Sequence, residues 1–397
     1  MAPVRRNPTL PDELISQILI RVPVKSLLQY QSVSKTWLSM IKNPSFVKSQ
    51  LRHALTTQTD DQTLLKADRS SVLHLDSGRN VAYLKFPFPR RDDVMYLNLV
   101  GSANGIVCVS VVFGSHDDYR NTSICLWNPA TTQSKFVPSS FNASVRVLGF
   151  GYDGVDDDYK IVVYVDNYVV YSENRNAWRI VPETIHSPGM DGFDVCINGF
   201  LCGCCGGTYA MMAFDLNREV LNCHINLPVT DGDVDEAHAQ HLLDCTIKLP
   251  VMNVINDAHD YDADDNFARI IEFNNSVAVI MMIGSSRNIN TWTLDDDACL
   301  RVGGVRVGGV EASWTPVLSI DTRMRPDQFY GYFSNGNLIL LLTNYVSDVK
   351  MWISCNVDKK EAKFAPPLLD MAEHCQDSVI FKYKESLISL AGFRHVN

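Results

Sequence analysis

Apolar positions along this chain follow two different periods. Between Leu10 and Ile41 they recur at helical spacing: Leu14, Ile15, Ile18, Leu19 and Val22 form one stripe, Leu27, Leu28 and Tyr30 a second, Trp37, Leu38 and Ile41 a third. Pro11 suits a first helical turn, where its missing N–H costs nothing, and Asp12 and Glu13 follow at the positive end of the helix dipole. Pro23 ends the first helix, and Ser34 reads as the N-cap of the third. From Leu51 to about Gln62 the text turns polar and reads as a helix fraying into a short connection. Beyond it the apolar runs are short and strand-like, bounded by Gly, Asn, Asp and Pro.

Stacking those runs exposes a repeat: an apolar strand, a polar turn, then a shorter strand that often ends in proline. Copies start at Val72, Cys125, Val169, Met212, Asn290 and Lys350, and between them lie strands such as "NGIVCVSVVF", "YKIVVYV" and "NGNLILLLT". All-strand repeats about 40–60 residues apart are the signature of propeller blades of four strands each. A two-sheet sandwich with long insertions is the competing architecture. The last segment, "SVIFKYKESLISL", has no full copy of its own and is expected to complete the first blade as a clasp. The expected fold is a multidomain α+β chain: a small N-terminal three-helix module, then an all-β, six-bladed propeller closed by the C-terminal strand. The expected boundaries are a flexible N-terminus at 1–9, the helical module at 10–51, a linker at 52–62 and the propeller at 63–397.

Composition narrows the setting. The 397 residues are 46% hydrophobic and 20% charged, ample for a core. No apolar run reaches the roughly 20 residues of a membrane helix, and the basic start lacks the apolar stretch of a secretory signal. The expected location is the cytoplasm or nucleus, where the eleven cysteines stay as thiols. A net charge of −10 argues against a nucleic-acid partner and leaves room for a basic protein.

About forty residues are too few to bury the apolar surface of the helical module alone, so part of it should face a partner. Here Leu10-Pro11 and "RVPVKSLLQYQSVSKTW" resemble the F-box motif, and "NGIVCVS", "LWNPATTQSKFVP", "GFGYDGVDDDYKIVVYV", "AFDLNREV" and "YKESLISL" resemble the F-box-associated, kelch-like interaction domain of plant F-box proteins. Gln31 departs slightly from the motif, standing where many relatives have a small or cysteine-like residue. The resemblance implies a substrate-recognition subunit of a ubiquitin ligase, joined through a Skp-type adaptor to a cullin and a RING subunit. It implies adaptor contacts at Leu10, Pro11, Leu14, Ile18, Leu19, Leu27, Leu28, Val33 and Trp37. The ending also looks like the S-locus type, whose members recognise basic ribonucleases in self-incompatibility. Other members target immune receptors or metabolic enzymes.

Residues 229–265 carry ten Asp and Glu against one Lys and read as a loop. As a target surface, Asp231, Asp233, Asp235, Glu236, Asp260, Asp262, Asp264 and Asp265 would meet a basic protein; the plainer reading is a solvated loop. "RVGGVRVGGV" from Arg301 reads as a flexible hairpin tip. Catalytic and metal motifs do not emerge. Cys196, Cys202, Cys204 and Cys205 lack zinc-site spacing, and "DGVDDDY" lacks the terminal glutamate of a calcium loop. No cofactor or catalytic residue is expected. The alternative of another class is a propeller enzyme or sugar-binding lectin whose helical cap only packs.

Overall fold

A computed structural model of the chain describes residues 10–57, 62–66, 71–75, 81–86, 94–113, 121–138, 141, 145–181, 192–204, 210–228, 246–248, 267–282, 287–301, 312–322, 326, 328–334, 336–344, 349–364 and 380–395. The segment expected to be flexible, 1–9, lies outside them.

The module opens with α1 (Asp12–Leu19), α2 (Val24–Tyr30) and α3 (Lys35–Ile41). Pro23 does more than end α1: it stands immediately before α2 with φ −54°, preset for helix entry. The Ser34 hydroxyl accepts from the Trp37 backbone N–H at 3.1 Å, the cap the sequence predicts. A fourth helix, α4 (Pro44–Thr56), extends the three-helix expectation. Asn43 caps it, accepting from the Ser45 N–H at 2.9 Å. It continues past Leu51 into the stretch that reads as linker, because the polar Arg52 and Thr56 face solvent there.

Among the described residues the strands follow in six sheets. Blade 1 holds β1 (Gln62–Lys66), β2 (Ser71–Leu75) and β3 (Val81–Lys85). Blade 2 holds β4 (Val94–Ala103), β5 (Ile106–Phe113), β6 (Asn121–Asn128) and β7 (Gln133–Phe136). Blade 3 holds β8 (Arg146–Asp153), β9 (Asp158–Tyr164), β10 (Tyr168–Ser172) and β11 (Ala177–Ile180). Blade 4 holds β12 (Val195–Ile197), β13 (Phe200–Cys204), β14 (Ala210–Asp215) and β15 (Val220–Asn226). Next comes β16 (Thr246–Lys248), then β17 (Phe267–Phe273), β18 (Ser276–Met282), β19 (Asn288–Leu294) and β20 (Trp314–Asp321) of blade 5. Blade 6 holds β21 (Gln328–Ser334), β22 (Asn337–Asn344), β23 (Val349–Asn356) and β24 (Glu361–Phe364). β25 (Ile380–Tyr383) pairs with β1 and completes blade 1, and β26 (Arg394–His395) adds an edge to β7. The C-terminal clasp therefore holds two blades. All six repeat copies are the third and fourth strands of a blade, or β2–β3 in blade 1, whose innermost strand comes from the C-terminus.

Inner strands touch in sequence around the ring: β4 with β8, β8 with β12, β12 with β17, β17 with β21, β21 with β25, and β25 with β4. The cores lie between blades. On β5, Val107, Val109 and Val111 pack toward blade 1, while Ile106 and Cys108 pack toward blade 3. On β18, Val277, Val279 and Met281 face blade 4, while Ala278, Ile280 and Met282 face blade 6. Burial on both faces is why these strands read as unbroken apolar runs rather than alternations.

The turn between third and fourth strands has a shared cause. Asn128, Ser172, Asp215 and Asn356 occupy one position in four blades; their side-chain oxygens accept from the backbone N–H of Ala130 (3.0 Å), Arg175 (3.2 Å), Asn217 (2.9 Å) and Lys359 (2.8 Å). Four residues on, Thr132, Asn176, Glu219 and Lys360 all take left-handed φ of 48 to 55°. The inner hairpins of blades 2 and 4 close with Asn104-Gly105 and Asn198-Gly199, all at positive φ, the two-residue turn such hairpins favour.

Polar side chains stitch neighbouring blades. Lys160 on β9 is 1% exposed; its ammonium reaches Asp153 at 3.0 Å, Glu219 of blade 4 at 3.2 Å and the Leu216 carbonyl at 2.6 Å. Arg179 of blade 3 also pairs with Glu219, and Lys135 of blade 2 pairs with Glu173 of blade 3. Lys160 holds the Asp153 carboxyl below the usual carboxylate range against the upward push of burial.

Two sequence expectations meet the structure differently. The stretch 229–265 is not all loop: β16 lies within it and pairs parallel to β20 as a fifth strand of blade 5. The eight acidic positions from Asp231 to Asp265 lie outside the described residues, as do residues 302–311 of the duplicated glycine stretch.

Candidate functional site

The helical module has two apolar faces. Leu19, Val24, Leu27, Ile41 and Phe46 form its core. Leu10, Ile18 and Val33 are 57%, 56% and 61% exposed, and Leu14 is exposed beside Ile18 at i, i+4 on α1. Pro11 is exposed at the start of α1, while Leu28 and Trp37 are half-buried, with Trp37 edge-on to Tyr30 at 5.6 Å. Leu19 and Leu27 correct the list drawn from the sequence: they are 2% and 0% exposed, support the outer face from beneath, and offer no surface.

The inner face sits on the ring. Leu387, near the C-terminus, is itself a member of the module's core, with Ala130 of the β6–β7 turn packed against the same cluster. Lys384 donates to the Thr57 carbonyl at 3.0 Å, satisfying an exposed end of α4. The hairpin between β8 and β9 reaches α4 through Asp157, paired with Lys48 at 2.5 Å and held by the Tyr152 hydroxyl at 2.5 Å. The "DGVDDDY" stretch is thus a hairpin turn that brackets the helices. The sequence left two roles open for the module, docking a partner or capping the ring; one apolar face packs on the ring and the other lies in solvent.

The helices occupy the ring face formed by the first-to-second and third-to-fourth strand turns, because Asn104, Ala130 and Asp157 all belong to such turns. On that face a cavity of about 1440 Å³ opens between the end of α4 at Leu55 and the turns at Asn104, Asn198 and Asn275. Farther along the channel, Arg269 on β17 pairs with Asp194 at 3.3 Å and stacks over Tyr330 at 5.1 Å. Burial raises the Asp194 carboxyl above its ordinary range, only partly opposed by Arg269. Second-to-third strand connections and inter-blade connections leave on the opposite face. The chain leaves β15 of blade 4 and enters β17 of blade 5 on that opposite face, and between them β16, parallel to β20, runs from the helix side toward it.

The described cysteines behave as core residues, while Cys205 lies outside the described residues. Cys202 is fully buried and Cys204 packs on the same cluster. Burial pushes the Cys196 thiol up to about 11 and the Cys125 thiol up to about 12, so both stay protonated and un-nucleophilic at neutral pH.

Comparison with known proteins adds to this geometry. Residues 8–49 match the F-box domain, and residues 52–262, more than half of the chain, match the F-box associated beta propeller domain. An F-box/kelch-repeat protein of Arabidopsis thaliana is 27% identical over 240 residues, 53% of this chain and 63% of that protein. The F-box protein CPR1 of Arabidopsis thaliana is 28% identical over 203 residues, 45% of this chain and 46% of that protein. The chain spans about half the length of the curated relatives it matches. Among solved structures, a prolyl endopeptidase aligns with TM-score 0.36 at 7% identity, over 89% of this chain and 57% of that one.

Proposed function

The chain belongs to the F-box proteins that carry an F-box associated beta propeller domain, and from that premise we propose that it is the substrate-recognition subunit of a cullin-based ubiquitin ligase. The helices dock a Skp-type adaptor through Leu10, Pro11, Leu14, Ile18, Leu28, Val33 and Trp37. The ring captures a protein and holds it near a ubiquitin-loaded enzyme supplied by the other subunits. The chain contributes effective concentration and orientation rather than a reacting group.

The observation that carries this reading is the two-faced module: Leu10, Leu14, Ile18 and Val33 stay in solvent although an adjacent apolar face is sealed on the ring. The target side is the ring face away from the helices, where β15 ends before the acidic positions and β17 begins after them. A basic protein suits that segment, and a basic ribonuclease is the candidate that the S-locus likeness names. The "YKESLISL" stretch lends that likeness little, because its residues form the seat of the helices. The cytoplasm or nucleus is the proposed setting, with degradation of the captured protein as the outcome.

The test is adaptor binding by the full chain with Leu10→Ala and Pro11→Ala together. Binding should be lost while the ring's unfolding transition stays in place; retained binding would discard this docking face. Point substitutions are required, because a chain lacking the helices would bare Leu387.

A further inference from the structure

We propose that residues 384–390 are a positioning element that fixes the angle of the adaptor-binding helices on the ring. The residues on either side of Leu387 are clamped. Asn128 is fully buried in the β6–β7 turn, and its amide nitrogen donates to the Ser386 carbonyl at 3.0 Å and to the Ile388 carbonyl at 2.8 Å. The Ser386 hydroxyl donates to the Asn104 carbonyl at 2.7 Å, and a Cβ on neighbouring Gly105 would fall 2.3 Å from that hydroxyl oxygen. Tyr383 on one flank belongs to the core between blades 1 and 2; Ile388 and Leu390 on the other pack against the core between blades 2 and 3.

Leu387 is therefore a peg held at both ends by the ring and inserted in the core of the helices. Lys384 at the end of α4 and Asp157 at Lys48 add two further points of attachment. Contacts near the α4 start, at its end and at the core define an orientation, which one linker could not do. Leu10, Leu14, Ile18 and Val33 stand outside the cluster that holds Leu387. Loosening them should change where the helices point and leave unchanged what they bind.

The consequence for ligase geometry rests on the proposed function, but the orientation itself is measurable without a ligase. Spin labels on non-natural residues at the exposed Lys42 and Lys359 report the distance between helices and ring in the full chain, free and bound to its Skp-type adaptor. The wild type should give one narrow distance distribution. Leu387→Ala combined with Lys48→Ala and Lys384→Ala should widen it at least about twofold, with adaptor affinity within about threefold of wild type. Leu387→Met in the same background should recover much of the narrowing. The Lys48→Ala, Lys384→Ala pair leaves the core intact and should widen the distribution to an intermediate degree. An unchanged width in the triple variant overturns the proposal, and so does loss of adaptor binding together with the widening, which would make Leu387 merely structural. A wild type that fails to bind the adaptor would instead overturn the function, while the width in the free chain still decides the orientation.

Discussion

The amide of Asn128 joins turn and tail across 258 positions of sequence, donating to the Ser386 carbonyl at 3.0 Å. Its oxygen meanwhile accepts from the N–H groups of Ala130 at 3.0 Å and Thr131 at 3.3 Å, so one buried side chain closes its own hairpin and pins the ring's clasp. Asn128→Ala leaves these groups short of partners and should cost about 3 kcal/mol. Chemical denaturation would show a lower midpoint at unchanged slope, with faster hydrogen exchange along the C-terminal segment. Asn128→Asp keeps the two acceptor bonds but faces carbonyls with a carboxylate. It should destabilise at neutral pH and recover partly in acid.

The Lys160 ammonium is buried against Asp153 and Glu219. Lys160→Met removes the cation beside the buried Asp153 carboxylate and leaves it only the Val155 N–H and the Asn217 amide, whereas Glu219 keeps Arg179, and the loss should be about 3 kcal/mol near neutral pH. In the wild type the Asp153 carboxyl lies below its unfolded value, so it contributes stability that is present above about pH 4 and is lost as pH falls through the folded value. Without Lys160 the same carboxyl should be held down less, by the Val155 N–H and the Asn217 amide against burial, so the variant should lose less stability than the wild type as pH falls. The gap between the two proteins should therefore hold near neutral pH and narrow as pH falls below about 4. Thermal unfolding of both across that range checks the sign; a gap that widens in acid would rule out the ion pair as the cause.

Ile18 and Leu27 separate binding from folding. Ile18 is largely exposed, so Ile18→Asp should shift stability by no more than about 0.5 kcal/mol. As an anchor at a desolvated contact it should weaken adaptor binding by about 30-fold or more. Leu27 has no exposed surface, and Leu27→Ala should cost about 2–5 kcal/mol, seen as early melting of the helical signal. Calorimetric titration of each variant with the adaptor, alongside circular dichroism, checks both. Equal adaptor affinity for Ile18→Asp and wild type would remove α1 from the interface.

Much of this was readable from local pattern. Four of the blade copies announce themselves because their third-to-fourth strand turns share a side-chain acceptor at one place, filled by Asn128, Ser172, Asp215 and Asn356. Ser34 signalled α3 for a similar reason. What escaped was set by distant partners. Lys160 sits inside the apolar run "YKIVVYV" and looks like an ordinary strand residue until Glu219, 59 positions on, is brought to it. Leu387 has no periodicity that assigns it to helices at the other end of the chain. Leu19 and Leu27 share the apolar stripes of Ile18 and Leu28, and composition alone does not say which side of a helix meets its own chain.

The acidic positions between blades 4 and 5 give the remaining test. Replacing Asp231, Asp233, Asp235, Glu236, Asp260, Asp262, Asp264 and Asp265 with the matching amides removes eight carboxylates, four before β16 and four after it, from a chain whose net charge is −10. Charges at the rim of an interface act mainly on encounter, since they raise the local potential without being desolvated. Against a basic ribonuclease as probe, the association rate at low salt should fall about tenfold or more, with little change in dissociation. Added salt should slow the wild type toward the variant, because at about 0.15 M the Debye length is near 8 Å. Stopped-flow association across a salt series reads both effects. Identical rates and identical salt slopes for the two proteins would place target capture elsewhere on the ring.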